Sequence, residues 1–230
     1  MSNNQPESLE LYLFPSCPFA QRVNMSLIRS GLEYSKKVFT PMDMPENLKQ
    51  ISPLGNVPVL LINNKESIFE SAVIADYIAQ ISPVSLEPKD EITRAQMRAW
   101  SNYSDDCFTK FMAVLNAENE KDMLEANEKF INAFHVLSNQ RINKGPYFYG
   151  EQYTTIDSSY GPLFLRMKTL NQLFPAFTYQ SLPDNISQWM DNLCNSDTLK
   201  DSIIGNFNEV FKMFLNKMAG SGYINQQLQK

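Results

Sequence analysis

The chain has 230 residues, 43% of them hydrophobic, a net charge of −5 and a pI near 5.0. That length suits two domains with a sizeable core, and the acidic balance excludes the basic footprint of a nucleic-acid binder. No apolar run approaches the roughly 20 residues of a membrane helix, and residues 1–10 lack the charged start and apolar stretch of a signal peptide.

In chain order, LELYLF (9–14) alternates as a strand and is broken by Pro15. Beyond Pro18, Ala20, Val23, Leu27 and Ile28 recur at helical spacing, with Gln21, Arg22, Asn24 and Arg29 between them. Gly31 takes the position that commonly stops a helix. YSKKVFT (34–40) reads as a second strand, and a short helix around 45–51 opens on a Pro-Glu pair. VPVLLI (57–62) is a buried strand that turns at Asn63-Asn64 into KESIF (65–69). From Ser71 a helix carries Ile74, Tyr77, Ile78 and Ile81 on one face.

Composition shifts at SPVSLEPKD (82–90), where prolines, serines and mixed charge mark a linker. Only helices are expected beyond it. Residues 91–116 put Ile92, Ala99, Tyr103, Cys107, Phe111 and Val114 on one stripe, and residues 121–142 put Phe130, Phe134 and Leu137 on another. A loop is expected at 143–153. Thr154 and Asp157 then form a capping pattern for a helix that buries Tyr160, Leu163, Phe164, Met167 and Leu170, with a kink at Pro162. Two or three shorter helices fill 184–217. The pattern divides the chain into an α/β half (1–82), a linker (83–89), an all-helical half (90–220) and a flexible polar tail (221–230).

The residue types that carry chemistry are few. Three scattered cysteines, Cys17, Cys107 and Cys194, make no disulfide framework, which fits a reducing, cytoplasmic setting. With one histidine, His135, and no metal-ligand spacing or phosphate-binding glycine loop, no metal is expected. Cys107 lies on an apolar stripe and reads as core, and His135 as a packed or surface residue. Cys17 differs, because it precedes Pro18 at a helix start. Helix-start amides and the helix dipole favour an anion there, which would hold the sulfur as a thiolate below the ordinary thiol value of about 8.5. Arg22, one turn on, either adds positive charge or faces solvent. The alternative is a buried, inert plug. Ala20 stands where a second cysteine would complete C-x-x-C, so any disulfide exchange uses one protein thiol and an external partner. Glu70-Ser71 at the next helix start read either as caps or as ligands for a charged group.

With SCPFAQRV, NVPVL and ESAVIADYI at these spacings, the chain resembles the cytosolic glutathione transferases, in particular their cysteine-type, omega-like class. The resemblance implies a thioredoxin-like domain followed by a helical bundle, glutathione as co-substrate and a homodimer. It implies that Val57–Pro58 is cis and that the Val57 backbone pairs with the cysteinyl part of glutathione. Glu70 and Ser71 would then hold the γ-glutamyl ammonium and carboxylate, and Phe19 would flank the ligand. The lysine that contacts the glycyl carboxylate in the omega-like class is replaced here by Met44, which leaves Lys49 as the substitute.

The function this implies is glutathione-dependent thiol transfer or dehydroascorbate reduction through a mixed disulfide at Cys17, on a small disulfide or electrophile. Conjugation or dehalogenation with glutathione is the enzymatic alternative. A regulatory module of the stringent-starvation kind and a chloride-intracellular-channel-like protein are the others. Both lack the Glu-Ser pair that stands at positions 70 and 71 here.

Overall fold

The computed structural model describes residues 6–141, 145–218, 220 and 222–229. The start of the N-terminal stretch read above, positions 143–144 of the expected loop and positions 221 and 230 of the expected tail lie outside these residues.

Four strands form one sheet in the order β2-β1-β3-β4. Strand β1 (Leu9–Leu13) runs parallel to β2 (Ser35–Val38) and antiparallel to β3 (Val59–Ile62), which pairs antiparallel with β4 (Glu66–Phe69). The parallel pair needs a crossover, and helix α1 (Pro18–Ser30) supplies it, ending at Gly31 with a left-handed φ of 72°. Helix α2 is short (Leu48–Ile51). The β3–β4 hairpin turns through Asn63 and Asn64, both at positive φ, as a two-residue turn of matching twist requires. Helix α3 (Ser71–Ile81) closes this half with Ile74 and Ile78 buried. This is a thioredoxin-like α/β domain, and the rest of the chain is a helical domain.

Helices α4 (Glu91–Leu115), α5 (Glu120–Ser138), α6 (Thr155–Leu173), α7 (Asp184–Asn195), α8 (Asp197–Ser202), α9 (Phe207–Met218) and α10 (Tyr223–Leu228) make up that second domain. Its core is aromatic: Phe111, Phe130, Phe134, Tyr160, Phe164 and Trp189 are buried side by side. Helix α6 is continuous through Pro162. Its Gly161 faces α1, where a Cβ would lie 2.6 Å from Met25 Cε, so a larger residue there would require the end of the Met25 side chain to shift.

Three expectations change. The stripe on α4 does not run through Ile92 and Ala99, which are exposed. Counting back from Cys107 by three and four residues reaches Ser104, Ser101 and Met97, and these form the buried face. Gln21, Arg22 and Asn24, which stand between the apolar positions of α1, are all buried, because α1 packs on α3, α6 and α8 as well as on the sheet, and of the two alternatives for Arg22 the solvent-facing one falls. The stretch 223–228 is not a flexible tail but helix α10. The Tyr223 N–H donates to the Ala117 carbonyl at 2.7 Å, and Ile224 is buried, which anchors an otherwise polar segment.

Candidate active site

The loop after β1 delivers Cys17 to the N-terminus of α1, where its side chain caps the helix. The Ala20 N–H donates to Cys17 Sγ at 3.4 Å, and the thiol in turn donates to the Val57 carbonyl at 3.8 Å. The peptide Val57–Pro58 is cis, as expected. Cys17 and Val57 are therefore together. The expectation of a depressed Cys17 pKa is not met. Burial of the sulfur pushes its pKa above the ordinary thiol value, outweighing the Ala20 and Phe19 amides and the charges of Arg166 and Arg22, which all pull it down. Helix-start amides are present as the sequence implied, but desolvation is the larger effect.

Glu70 sits at the start of α3 with φ 68° and ψ 110°, a left-handed backbone that glutamate adopts only at a cost of order 1–3 kcal/mol. Its side chain makes no capping hydrogen bond, which removes the plain capping explanation for it. Ser71 is buried and accepts a hydrogen bond from Arg22 Nη1 at 3.1 Å. Arg22 is itself 3% exposed. Its other arm, Nη2, donates to Ser104 Oγ and to the Asp105 carboxylate on α4, and its guanidinium lies 5.6 Å from the Phe19 ring centroid. The Phe19 ring also packs edge-on against Phe108 of α4, at 5.4 Å. Pro18, Phe19, Arg22, Ser104, Phe108 and Leu163 line a narrow pocket between α1, α4 and α6.

So Cys17, Val57, Phe19, Glu70 and Ser71 gather along the starts of α1 and α3 with the cis-proline turn. Lys49 does not join them. It is exposed on α2, and among the described residues no hydrogen bond or ion pair ties it to the others. His135 contacts the Ser181 carbonyl at 3.1 Å and is not paired with Cys17. Cys107 is fully buried, with its thiol pushed up to about 12 by burial. The sequence reading missed Asp105 and Arg166. Arg166 donates from Nη2 to the carbonyl of Ser16, beside the candidate nucleophile, at 2.9 Å. The signal for it was present, since Arg166 follows Leu163 by three residues on a stripe otherwise apolar.

The model of the glutathione S-transferase N-terminal domain matches residues 16–81, a span that contains all six candidate residues. A "probable glutathione S-transferase MSR-1" of Nicotiana plumbaginifolia is 30% identical over 152 residues, covering 65% of this chain and 68% of the relative. The chain belongs to the glutathione S-transferase family. Another relative is the glutathione S-transferase omega-1 of Sus scrofa, 29% identical over 168 residues, with 72% of this chain and 70% of the relative covered. Among solved structures, the glutathione transferase Omega 3C of Trametes versicolor superposes with a TM-score of 0.79 at 22% identity, covering 89% of this chain and 92% of that one. Its thioredoxin-like sheet and helical second domain are the fold described above. Within this transferase fold, Cys17 lies against Val57, and Arg22 against Ser71, the residue that follows the strained Glu70.

Proposed function

We propose that this glutathione transferase carries out thiol transfer through a mixed disulfide at Cys17. The observation that most supports this reading is the Cys17 sulfur at the start of α1, holding the Ala20 N–H and facing the Val57 carbonyl, with no second cysteine one turn away. The Cys17 thiolate attacks the glutathione sulfur of a glutathionyl disulfide. The new bond is Cys17–S–S–glutathione, and the substrate leaves as its thiolate and takes a proton. A second glutathione thiolate then attacks the glutathionyl sulfur, releasing oxidised glutathione and restoring Cys17. Dehydroascorbate reduction shares the mixed disulfide but reaches it differently: the Cys17 thiolate adds to a carbonyl of dehydroascorbate, one glutathione thiolate attacks the Cys17 sulfur to form the mixed disulfide and release ascorbate, and a second glutathione thiolate releases oxidised glutathione and restores Cys17. The resemblance adds a homodimer in the cytoplasm to this proposal.

In this reading Val57 pairs with the cysteinyl part of glutathione through its backbone, and Ser71 with Glu70 holds the γ-glutamyl end. Ser71 Oγ already accepts from Arg22, so its O–H is left to donate to a carboxylate, and the Arg22 charge strengthens that donor. Ser71→Ala is expected to weaken glutathione binding by about 1–3 kcal/mol, roughly 5- to 150-fold in Kd. Calorimetry on a variant whose melting temperature is checked would return Ser71 to a structural role if affinity did not move. Lys49 keeps the glycyl carboxylate only as an expectation from the resemblance.

The direct test of the reaction is oxidised glutathione followed by intact-mass and peptide mapping. One glutathionyl group is expected, on Cys17, reversed by reduced glutathione. Modification at Cys107 or Cys194 in its place would end the proposal. One observation favours a second reading. Burial pushes Cys17 toward the neutral thiol, and a neutral thiol can donate a hydrogen bond to the thiolate of bound glutathione, as conjugation requires. Turnover of halogenated aromatics without glutathionylation of Cys17 would select that reading.

A further inference from the structure

Arg166 is 1% exposed, and among the described residues none of its hydrogen-bond partners is an anion. Nη1 donates to Gln21 Oε1 at 2.9 Å and to the Pro162 carbonyl at 2.8 Å, and Nη2 donates to the Ser16 carbonyl at 2.9 Å. The guanidinium lies 5.3 Å from the Phe207 ring centroid, and Nε has no partner. A buried cation without a counter-charge is costly. Arg22, the other guanidinium that acts on Cys17, has the Asp105 carboxylate. We propose that Arg166 is a positioning residue whose missing counter-ion is the Cys17 thiolate: it pins the Ser16 carbonyl beside the nucleophile and stands as the positive charge that the thiolate matches once formed. The inference rests on the reading of Cys17 as the nucleophile. The electrostatics agree in direction. Burial lowers the Arg166 pKa to about 10, with Cys17 the one group pulling it back up. Cys17 is drawn down by Arg166 from α6 and Arg22 from α1, the latter already neutralised by Asp105 of α4. An interior charge acts more strongly than one in water. The helical domain thus activates a residue of the other domain.

The test reads Cys17 itself. The rate of its alkylation by iodoacetamide, followed by peptide mass spectrometry across pH on the full chain, gives an apparent pKa. Arg166→Gln keeps an N–H for the Ser16 carbonyl and loses the charge. It is expected to raise that midpoint by about one unit or more, slowing alkylation roughly tenfold at any pH below it. Arg166→Lys retains a cation while its ammonium stays protonated, without the guanidinium's fork of donors, and is expected to give a midpoint lower than that of Arg166→Gln. An unmoved midpoint in Arg166→Gln, or a rise in Arg166→Lys as large as in Arg166→Gln, overturns the proposal and leaves Arg166 a structural tie. Should the glutamine variant not fold, Arg166→Met removes the charge in its place and is read the same way: a midpoint raised by about one unit supports the role of charge, and an unmoved midpoint refutes it. Failure of Cys17 to accept a glutathionyl group would instead sink the nucleophile reading, a separate result that leaves the alkylation midpoint readable.

Discussion

Cys17→Ser is expected to reduce thiol transfer by at least about a thousandfold, to the level of uncatalysed exchange, while glutathione affinity changes little. An oxygen at position 17 can cap α1 as sulfur does, since serine is a favoured capping residue, so the fold should survive. It cannot form the mixed disulfide, so the cycle has no covalent intermediate. The contacts assigned to Val57, Glu70 and Ser71 do not pass through the sulfur, which is why binding should persist. A hydroxyl can also donate to the glutathione thiolate without being consumed, so conjugating activity is expected to rise. The pH dependence of the unaltered enzyme follows from the direction of the Cys17 shift. The reactive form is the thiolate and burial raises the pKa, so kcat/KM should still climb with pH beyond the ordinary thiol value. Full thiol-transfer turnover in Cys17→Ser would leave Cys17 a buried plug.

The second large effect is expected at Asp157→Ala, in stability and not in chemistry. Asp157 is fully buried, and its carboxylate accepts four hydrogen bonds: Oδ1 from the Phe148 N–H at 2.9 Å and Trp189 Nε1 at 2.7 Å, Oδ2 from the Thr154 N–H at 2.8 Å and Thr154 Oγ1 at 3.2 Å. Alanine leaves these donors buried without an acceptor, at about 1–3 kcal/mol each and less than additive in sum. A loss of about 4 kcal/mol is expected by urea unfolding, a large part of a typical total of 5–15. Burial pushes this carboxyl up to about 6, above its ordinary value. The folded state thus holds the proton more tightly than the unfolded one. The stability this contributes is full below the unfolded value near 4 and is lost as pH rises through about 6. Asp157→Asn cannot titrate, so its stability relative to the unaltered protein should rise over that interval. Parallel pH curves for the two would contradict the assignment.

The strand-helix order and the positions of Cys17, Val57 and Ser71 were legible because each lies where a strand, a turn residue and a helix start succeed one another within a few residues. Local chemistry marks such places. Thr154 and Asp157 were legible as a cap for the same reason, although Trp189 and Phe148, donors from other segments, were not. Arg22 reads on the sequence as a solvated charge as readily as a buried one, and Arg166 gives itself away only by its place on an apolar stripe. Their burial comes from α1 being enclosed by α3, α6 and α8, helices far along the chain. The Cys17 pKa was misjudged for a related reason. The amides that favour a thiolate are local and visible, whereas the desolvation that opposes them is set by the whole fold. Helix α10 was hidden by its glutamines, although Tyr223, Ile224 and Asn225 anchor it.

The enclosed polar face of α1 also bears on modularity. Gln21 bonds to Ser202 and Arg166, Arg22 to Ser104 and Asp105, and Asn24 to the Ser202 carbonyl. Every one of these partners belongs to the helical half. A thioredoxin-like domain cut free, or joined to a foreign helical domain without matching serines, aspartate and arginine, would lose these partners, keeping for Arg22 only Ser71 and for Asn24 only Tyr34 among those described. Exchange of either half for a foreign one would therefore leave these hydrogen bonds unmade, and a chimera of that kind would be expected to fold less stably than the whole chain.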